Sequence, residues 1–227
     1  EKILVYGDYD VDGTTSVAMM WTFLSTVTDN IDFYIPCRYK EGYGISLQGI
    51  DYAKENNFSL IIALDCGTRA VQQIDYANEK EVDFIICDHH NPAEKIPNAV
   101  AILNPKQSDC NYPFKELSGC GVGFKLIQGY CEKNQIPLKE ITPLLDFLVV
   151  SIAADIVPMV DENRAFSFFG LKQINSTPRV GIKALMDSIG RKGKWTISDI
   201  VFGIAPRINA AGRLVHGKIA VDLLIEK

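Results

Sequence analysis

The chain has 227 residues, of which 47% are apolar and 22% charged, with a formal net charge of −5. That composition fits an ordinary globular protein and excludes a disordered or collagen-like one, and no apolar run approaches the roughly 20 residues a bilayer crossing needs. From Arg179 onward there are nine Lys/Arg against four Asp/Glu, whereas the residues before it carry 14 against 24, an acidic part joined to a basic segment.

Taken in order, the apolar runs predict alternating strands and helices. Ile3–Tyr6 reads as a strand, Thr14–Leu24 as a helix, and Phe33–Ile35 as a strand stopped by Pro36. A helix over Leu47–Glu55, a strand over Leu60–Leu64, a helix over Ala70–Lys80 and strands over Phe84–Cys87 and Val100–Leu103 follow. Continuous apolar strands alternating with helices imply a parallel, five-stranded, Rossmann-like α/β sheet flanked by helices. Beyond residue 115 only helices are expected, at Gly121–Glu132, Leu144–Ala154, Arg164–Asn175, Gly181–Ser188 and from Lys218 onward, with a loop at Gly190–Lys194. A soft boundary near Thr177-Pro178 divides an α/β domain, residues 1–176, from a helical, basic extension, residues 177–227. The start at Glu1-Lys2 and the helix-like end lead to the expectation of a piece of a longer protein without a signal peptide. The six cysteines form no Cys-x-x-Cys pair, so reduced thiols, a cytoplasmic location and no structural zinc are expected.

The chemistry collects where strands end. Asp8, Asp10 and Asp12 follow the first strand at alternating positions, which in an extended chain share one face. Such a cluster is either an acidic loop or a divalent-metal site. The pattern recurs: the third strand ends at Asp65, and the fourth at Asp88-His89-His90. In open parallel sheets the functional groups gather beyond the carboxyl ends of the strands. Asp155 lies in an apolar helix, where an unpaired carboxylate is costly. It would cap that helix, pair with an arginine or ligate a metal. Asp8, Asp10, Asp12, Asp65, His89 and Asp155, with His90 as a further candidate, exceed the needs of one ion and suit two with a bridging carboxylate. Oxygen ligands with one imidazole favour Mn²⁺ over Mg²⁺ and exclude zinc as the first choice. Such a pair suits phosphoryl chemistry, with His90 either a ligand or a donor to a phosphate oxygen or leaving group.

The stretches Gly7-Asp8-Tyr9-Asp10-Val11-Asp12-Gly13, Asp65-Cys66-Gly67, Asp88-His89-His90 and Ala154-Asp155 resemble the DHH phosphoesterase superfamily. Arg38-Tyr39-Lys40-Glu41-Gly42-Tyr43-Gly44 and Pro206-Arg207-Ile208-Asn209-Ala210-Ala211-Gly212-Arg213 look like its RecJ branch, the 5′→3′ exonucleases specific for single-stranded DNA. The resemblance implies that Asp8 and Asp10 hold one metal, that Asp12, His89 and Asp155 hold the other, and that Asp65 bridges them. His90 would stand by the scissile phosphate, and Arg38, Arg207, Asn209 and Arg213 would contact phosphate, with Gly-rich turns allowing close backbone approach. Each arginine taken singly is equally well read as a surface ion pair. The resemblance also implies single-stranded DNA as substrate, and single-strand-binding protein or helicase partners. A C-terminal domain with a Gly-rich motif and an OB-like domain are expected of that branch and find no match here. The alternatives are a phosphoesterase of small nucleotides, oligonucleotides or pyrophosphate, and an inactive DHH-like binding module.

Overall fold

The computed structural model describes residues 1–214 and 216–226. Five parallel strands, β1 (Ile3–Gly7), β2 (Ile31–Tyr34), β3 (Leu60–Leu64), β4 (Asp83–Cys87) and β5 (Ala101–Leu103), form one sheet in the order β2-β1-β3-β4-β5. Because β2 lies on one side of β1 and β3 on the other, the chain leaves β1 and β3 in opposite directions. Their carboxyl ends therefore form the crevice in which such sheets bind ligands. The register pairs Gly7 with Leu64 and Leu64 with Cys87, so the residues after β1, β3 and β4 emerge side by side.

Alternation along each strand builds two cores. Leu4, Tyr6, Ile61, Ala63, Phe84 and Ile86 face helices α2 (Leu47–Glu55) and α3 (Val71–Glu79), which bury Ile50, Ala53, Ile74 and Ala77. Val5, Phe33, Ile62, Leu64 and Cys87 face the other way, against α1 (Val11–Leu24), α4 (Gly119–Lys133) and α5 (Leu145–Asp155). Behind these stand α6 (Asp161–Ser176), α7 (Val180–Ile189), a single turn α8 (Ile197–Asp199), a π-helical turn over Ile200–Ile204, α9 (Ala205–Leu214) and α10 (Gly217–Ile225). Ile182, Ile200, Ile204, Ile208, Val221 and Leu224 are buried in the same core as α1 and α5. No helix among the described residues is long and apolar enough to cross a membrane.

Two expectations are corrected. The Asp8/Asp10/Asp12 spacing is not that of a strand, because β1 stops at Gly7 and α1 begins at Val11, three residues earlier than expected. Asp10 is its N-cap, accepting from the Gly13 amide at 2.9 Å, and Asp12 lies in its first turn. The Asn209–Arg213 stretch is not a Gly-rich turn but part of α9. A capping box at Thr196 and Asp199 starts the helical run that contains it, and Ile200, Ile204 and Ile208 bury one face at four-residue spacing. Gly212 is there for proximity: a Cβ would lie 2.6 Å from the Tyr9 carbonyl oxygen.

Candidate metal centre

Asp8 follows β1 directly and is fully buried, and neither of its carboxylate oxygens has a hydrogen-bond partner. Asp65 follows β3 in the left-handed region, φ 58°, a backbone that aspartate tolerates better than most residues. It is 1% exposed, and its Oδ1 is also without a partner. His89 follows Asp88 at the end of β4. Its Nε2 lies 3.2 Å from Asp65 Oδ1, 3.7 Å from Asp12 Oδ2 and 3.7 Å from Asp155 Oδ2, yet neither ring nitrogen makes a hydrogen bond. Asp155 is the last residue of α5, not a mid-helix residue, so its carboxylate leaves the helix end towards Asp12 and His89.

Two residue groups here have the composition and closeness of metal sites: Asp12, His89 and Asp155, and Asp65, His89 and His90. The electrostatics agree. Burial, then the neighbouring Asp10, pushes Asp8 up to about 7. Burial, then Asp12 and Asp10, does the same to Asp155, also to about 7. Burial raises Asp10, and burial with the surrounding carboxylates raises Asp65 well above the usual range. Burial lowers His89, which keeps its imidazole neutral and its lone pair available for a ligand. Buried acceptors without donors, around a neutral imidazole, are the donor set of a hard divalent cation.

Asp88 belongs to a different network. Its Oδ1 accepts the His89 and His90 amides at 2.7 and 3.1 Å and pairs with His90 Nδ1 at 2.7 Å, while Oδ2 accepts the Thr68 amide at 2.9 Å. Burial works to raise Asp88, but the His90 hydrogen bond and charge together with the Thr68 and His90 amides outweigh it and hold the carboxyl below its usual value. The same bond raises His90. Asn104 holds the turn from behind, donating to the Thr68 hydroxyl and the His90 carbonyl. The His90 ring is thus fixed with Nε2 facing the Tyr43 hydroxyl at 3.3 Å. It borders a cleft of about 440 Å³ lined by Tyr43, Thr68, Arg69 and Asn91.

The seven aspartates and histidines expected from the sequence converge here. The phosphate-contact candidates divide. The Arg38 guanidinium lies 5.3 Å from the centre of the Tyr9 ring, and Arg213 is exposed at the end of α9, its carbonyl accepting from the Tyr39 hydroxyl at 2.9 Å. Both sit at the rim. Arg207 turns back on its own helix to the Gly203 carbonyl at 2.9 Å, and Asn209 is half-buried on α9. Sequence reasoning missed the anchors: Asp88 and Asn104 for His90, and Ser118, Gly119, Cys120 and Ser151 around Asp12. The signal for the latter was a Ser followed by small residues at a helix start, and a Ser one turn before Asp155.

A parallel α/β sheet carrying carboxylates and imidazoles of metal-ligand composition at its switch-point crevice defines the class. The profile of the DHH family, N-terminal domain, matches residues 2–152. The chain belongs to the DHH family. It is 43% identical over 228 residues to the single-stranded-DNA-specific exonuclease RecJ of Bacillus subtilis, covering 100% of this chain and 28% of that relative. The Escherichia coli RecJ is 36% identical, with coverage of 99% and 41%. A crystal structure of exonuclease RecJ bound to manganese superimposes with a TM-score of 0.88 at 32% identity, covering 99% of this chain and 56% of that one. RecJ of Thermus thermophilus in complex with Mn²⁺ gives 0.84 at 29% identity, over 100% and 32%. The chain spans less than half the length of the curated relatives it matches.

Proposed function

We propose that this chain is the catalytic core of a metal-dependent 5′→3′ exonuclease that hydrolyses single-stranded DNA, acting in the cytoplasm in DNA repair and recombination. The observation that carries the reading is the group of buried, donor-less oxygen and nitrogen atoms of Asp8, Asp65 and His89 at the sheet's switch point. The RecJ relatives and their manganese-bound structures support the substrate class and the metal. Asp8, Asp10 and Asp65 would hold one divalent ion, and Asp12, Asp65, His89 and Asp155 the second, Mn²⁺ in preference to Mg²⁺. Bound there, such ions supply Lewis acidity to the phosphoryl group and an activated water.

The side chains do the rest. His90, fixed by Asp88 and biased towards its cation, presents Nε2 to a phosphate oxygen or to the leaving oxygen. Arg38 and Arg213 at the rim hold the phosphate by charge-assisted hydrogen bonds. Exposed Tyr39 and Tyr43 offer faces on which unpaired bases stack. In this reading the chain divides into an α/β catalytic domain, residues 1–176, and a helical, basic extension after it. Single-strand-binding protein and helicase partners follow from family resemblance. The test is digestion of 5′-phosphorylated single-stranded DNA, its duplex and a dinucleotide with Mn²⁺. Mononucleotide release from the single strand alone is expected. Fast cleavage of the dinucleotide with the single strand untouched assigns a small-nucleotide phosphoesterase instead.

A further inference from the structure

Asp12 differs from the other carboxylates of the cluster in the number of its donors: Asp10 accepts the Gly13 amide alone, and neither Asp8 oxygen has a partner. Its Oδ2 accepts the Gly119 amide at 2.7 Å, and its Oδ1 accepts the Cys120 amide at 2.9 Å and the Ser151 hydroxyl at 2.7 Å. The Ser16 hydroxyl stands off at 3.4 Å. Gly119 and Cys120 are the first two residues of α4, so their amides are among the orphan donors of a helix start and bring its positive partial charge to the carboxylate. Ser118 is the N-cap of α4: its Oγ accepts the Gly121 amide at 3.1 Å and lies 2.7 Å from Ser151 Oγ. Asp12 Oδ1 can only accept from Ser151, so the single Ser151 proton points to Asp12 and the Ser118 proton points to Ser151. The result is a one-way chain from the Gly121 amide through Ser118 and Ser151 to Asp12, each bond polarising the next.

Gly119 ties this chain to the rest of the site. A Cβ there would lie 2.5 Å from Asp65 Oδ1 and 2.6 Å from Asp65 Cβ. Only glycine lets the α4 start bond to Asp12 while Asp65 stands against it. Asp12, Asp65, Ser118, Cys120 and Ser151 are each 3% exposed or less. With Oδ1 occupied by two close donors and Oδ2 by one, the open lone pair of Asp12 is on Oδ2, the oxygen 3.7 Å from His89 Nε2.

We propose that the α4 start and Ser151 are positioning residues that clamp Asp12 as a single-oxygen ligand, making the Asp12/His89/Asp155 half the tighter of two unequal metal sites. In the other half Asp10 accepts one amide, that of Gly13, and neither Asp8 oxygen has a donor in hydrogen-bond geometry, so neither carries a comparable clamp. The inference rests on the divalent-metal reading above. Outer-shell partners of this kind are worth about 10–100-fold in metal affinity.

The test is Mn²⁺ titration of the full chain, followed by the electron-paramagnetic-resonance signal of free Mn²⁺ and by calorimetry, with the melting temperature of the metal-free protein measured alongside. Wild type is expected to show two unequal affinities. Ser151→Ala weakens the tighter one about 10-fold or more and leaves the weaker within about two-fold. Ser118→Ala, one hydroxyl further away, gives a smaller loss in the same affinity and carries the test if Ser151→Ala does not fold. A lowered melting temperature with both Mn²⁺ affinities unchanged in the folded variants makes the serines merely structural and overturns the clamp. A wild type that takes up no Mn²⁺ overturns the metal reading itself, and the clamp with it.

Discussion

Crowding is the dominant energetic fact at the scale of the residue. Burial and like charge penalise the ionised form, pushing Asp8 and Asp155 up to about 7 and Asp65 well above the usual carboxylate range. A carboxyl whose folded value lies above its unfolded value binds protons more tightly when folded. The metal-free protein is therefore expected to lose stability as pH rises from about 4 through about 7, and to level off only above the folded values. Mn²⁺ should reverse the trend, its stabilisation growing over the same interval. Melting temperatures across pH 5–8 with chelator and with Mn²⁺ check both signs, and a metal-free protein that gains stability towards pH 8 contradicts them. Asp65→Asn isolates one charge. Without metal it should melt higher than wild type at pH 8. Its Mn²⁺-dependent activity should fall by more than about 100-fold, beyond the range seen for loss of an outer-shell partner. Activity within a few-fold of wild type removes the bridging role.

At the scale of the element, helix ends aim the ligands. α5 stops at Asp155 because Ile156 turns left-handed, φ 57° and ψ 32°, an unusual state for a β-branched residue that is also 79% exposed. Ile156→Asn relieves a cost of about 1 kcal/mol and should stabilise the protein by a few tenths to about 1 kcal/mol, read by chemical denaturation. A loss of stability there would mean that Ile156 makes an apolar contact worth more than its strain. Elements whose apolar pattern was continuous were legible from the sequence. The strands Leu60–Leu64 and Phe84–Cys87 and the helix Leu47–Glu55 emerge within a residue of expectation. The α9 region was not, because the Asn209–Arg213 stretch, with its glycine, reads as a Gly-rich turn. Its helical signal is Thr196-x-x-Asp199 followed by Ile200, Ile204 and Ile208. The site carboxylates were legible by type, but the geometry that groups them was not. Asp10 and Asp12 reach the site as cap and first turn of a helix, and the donors on Asp12 come from residues more than 100 positions away.

For the whole molecule, the sheet supplies the crevice and the helical half locks it. The Arg179 guanidinium forms a two-pronged bond to Asp146, at 2.7 Å from both Nε and Nη2, and stacks over the Phe147 ring at 3.5 Å. Asp146 is 1% exposed. Arg179→Ala strands that carboxylate and should cost about 3–5 kcal/mol, measured by denaturant unfolding. A cost under about 1 kcal/mol would show that the Arg179–Asp146 pair adds little to the apolar packing that holds this half on α5. The most direct measurement is anomalous scattering at the manganese edge from crystals grown with Mn²⁺. Two peaks are expected, one among Asp8, Asp10 and Asp65 and the other among Asp12, Asp65, His89 and Asp155. No peak there, or peaks only on surface carboxylates, would contradict the metal centre and with it the exonuclease reading.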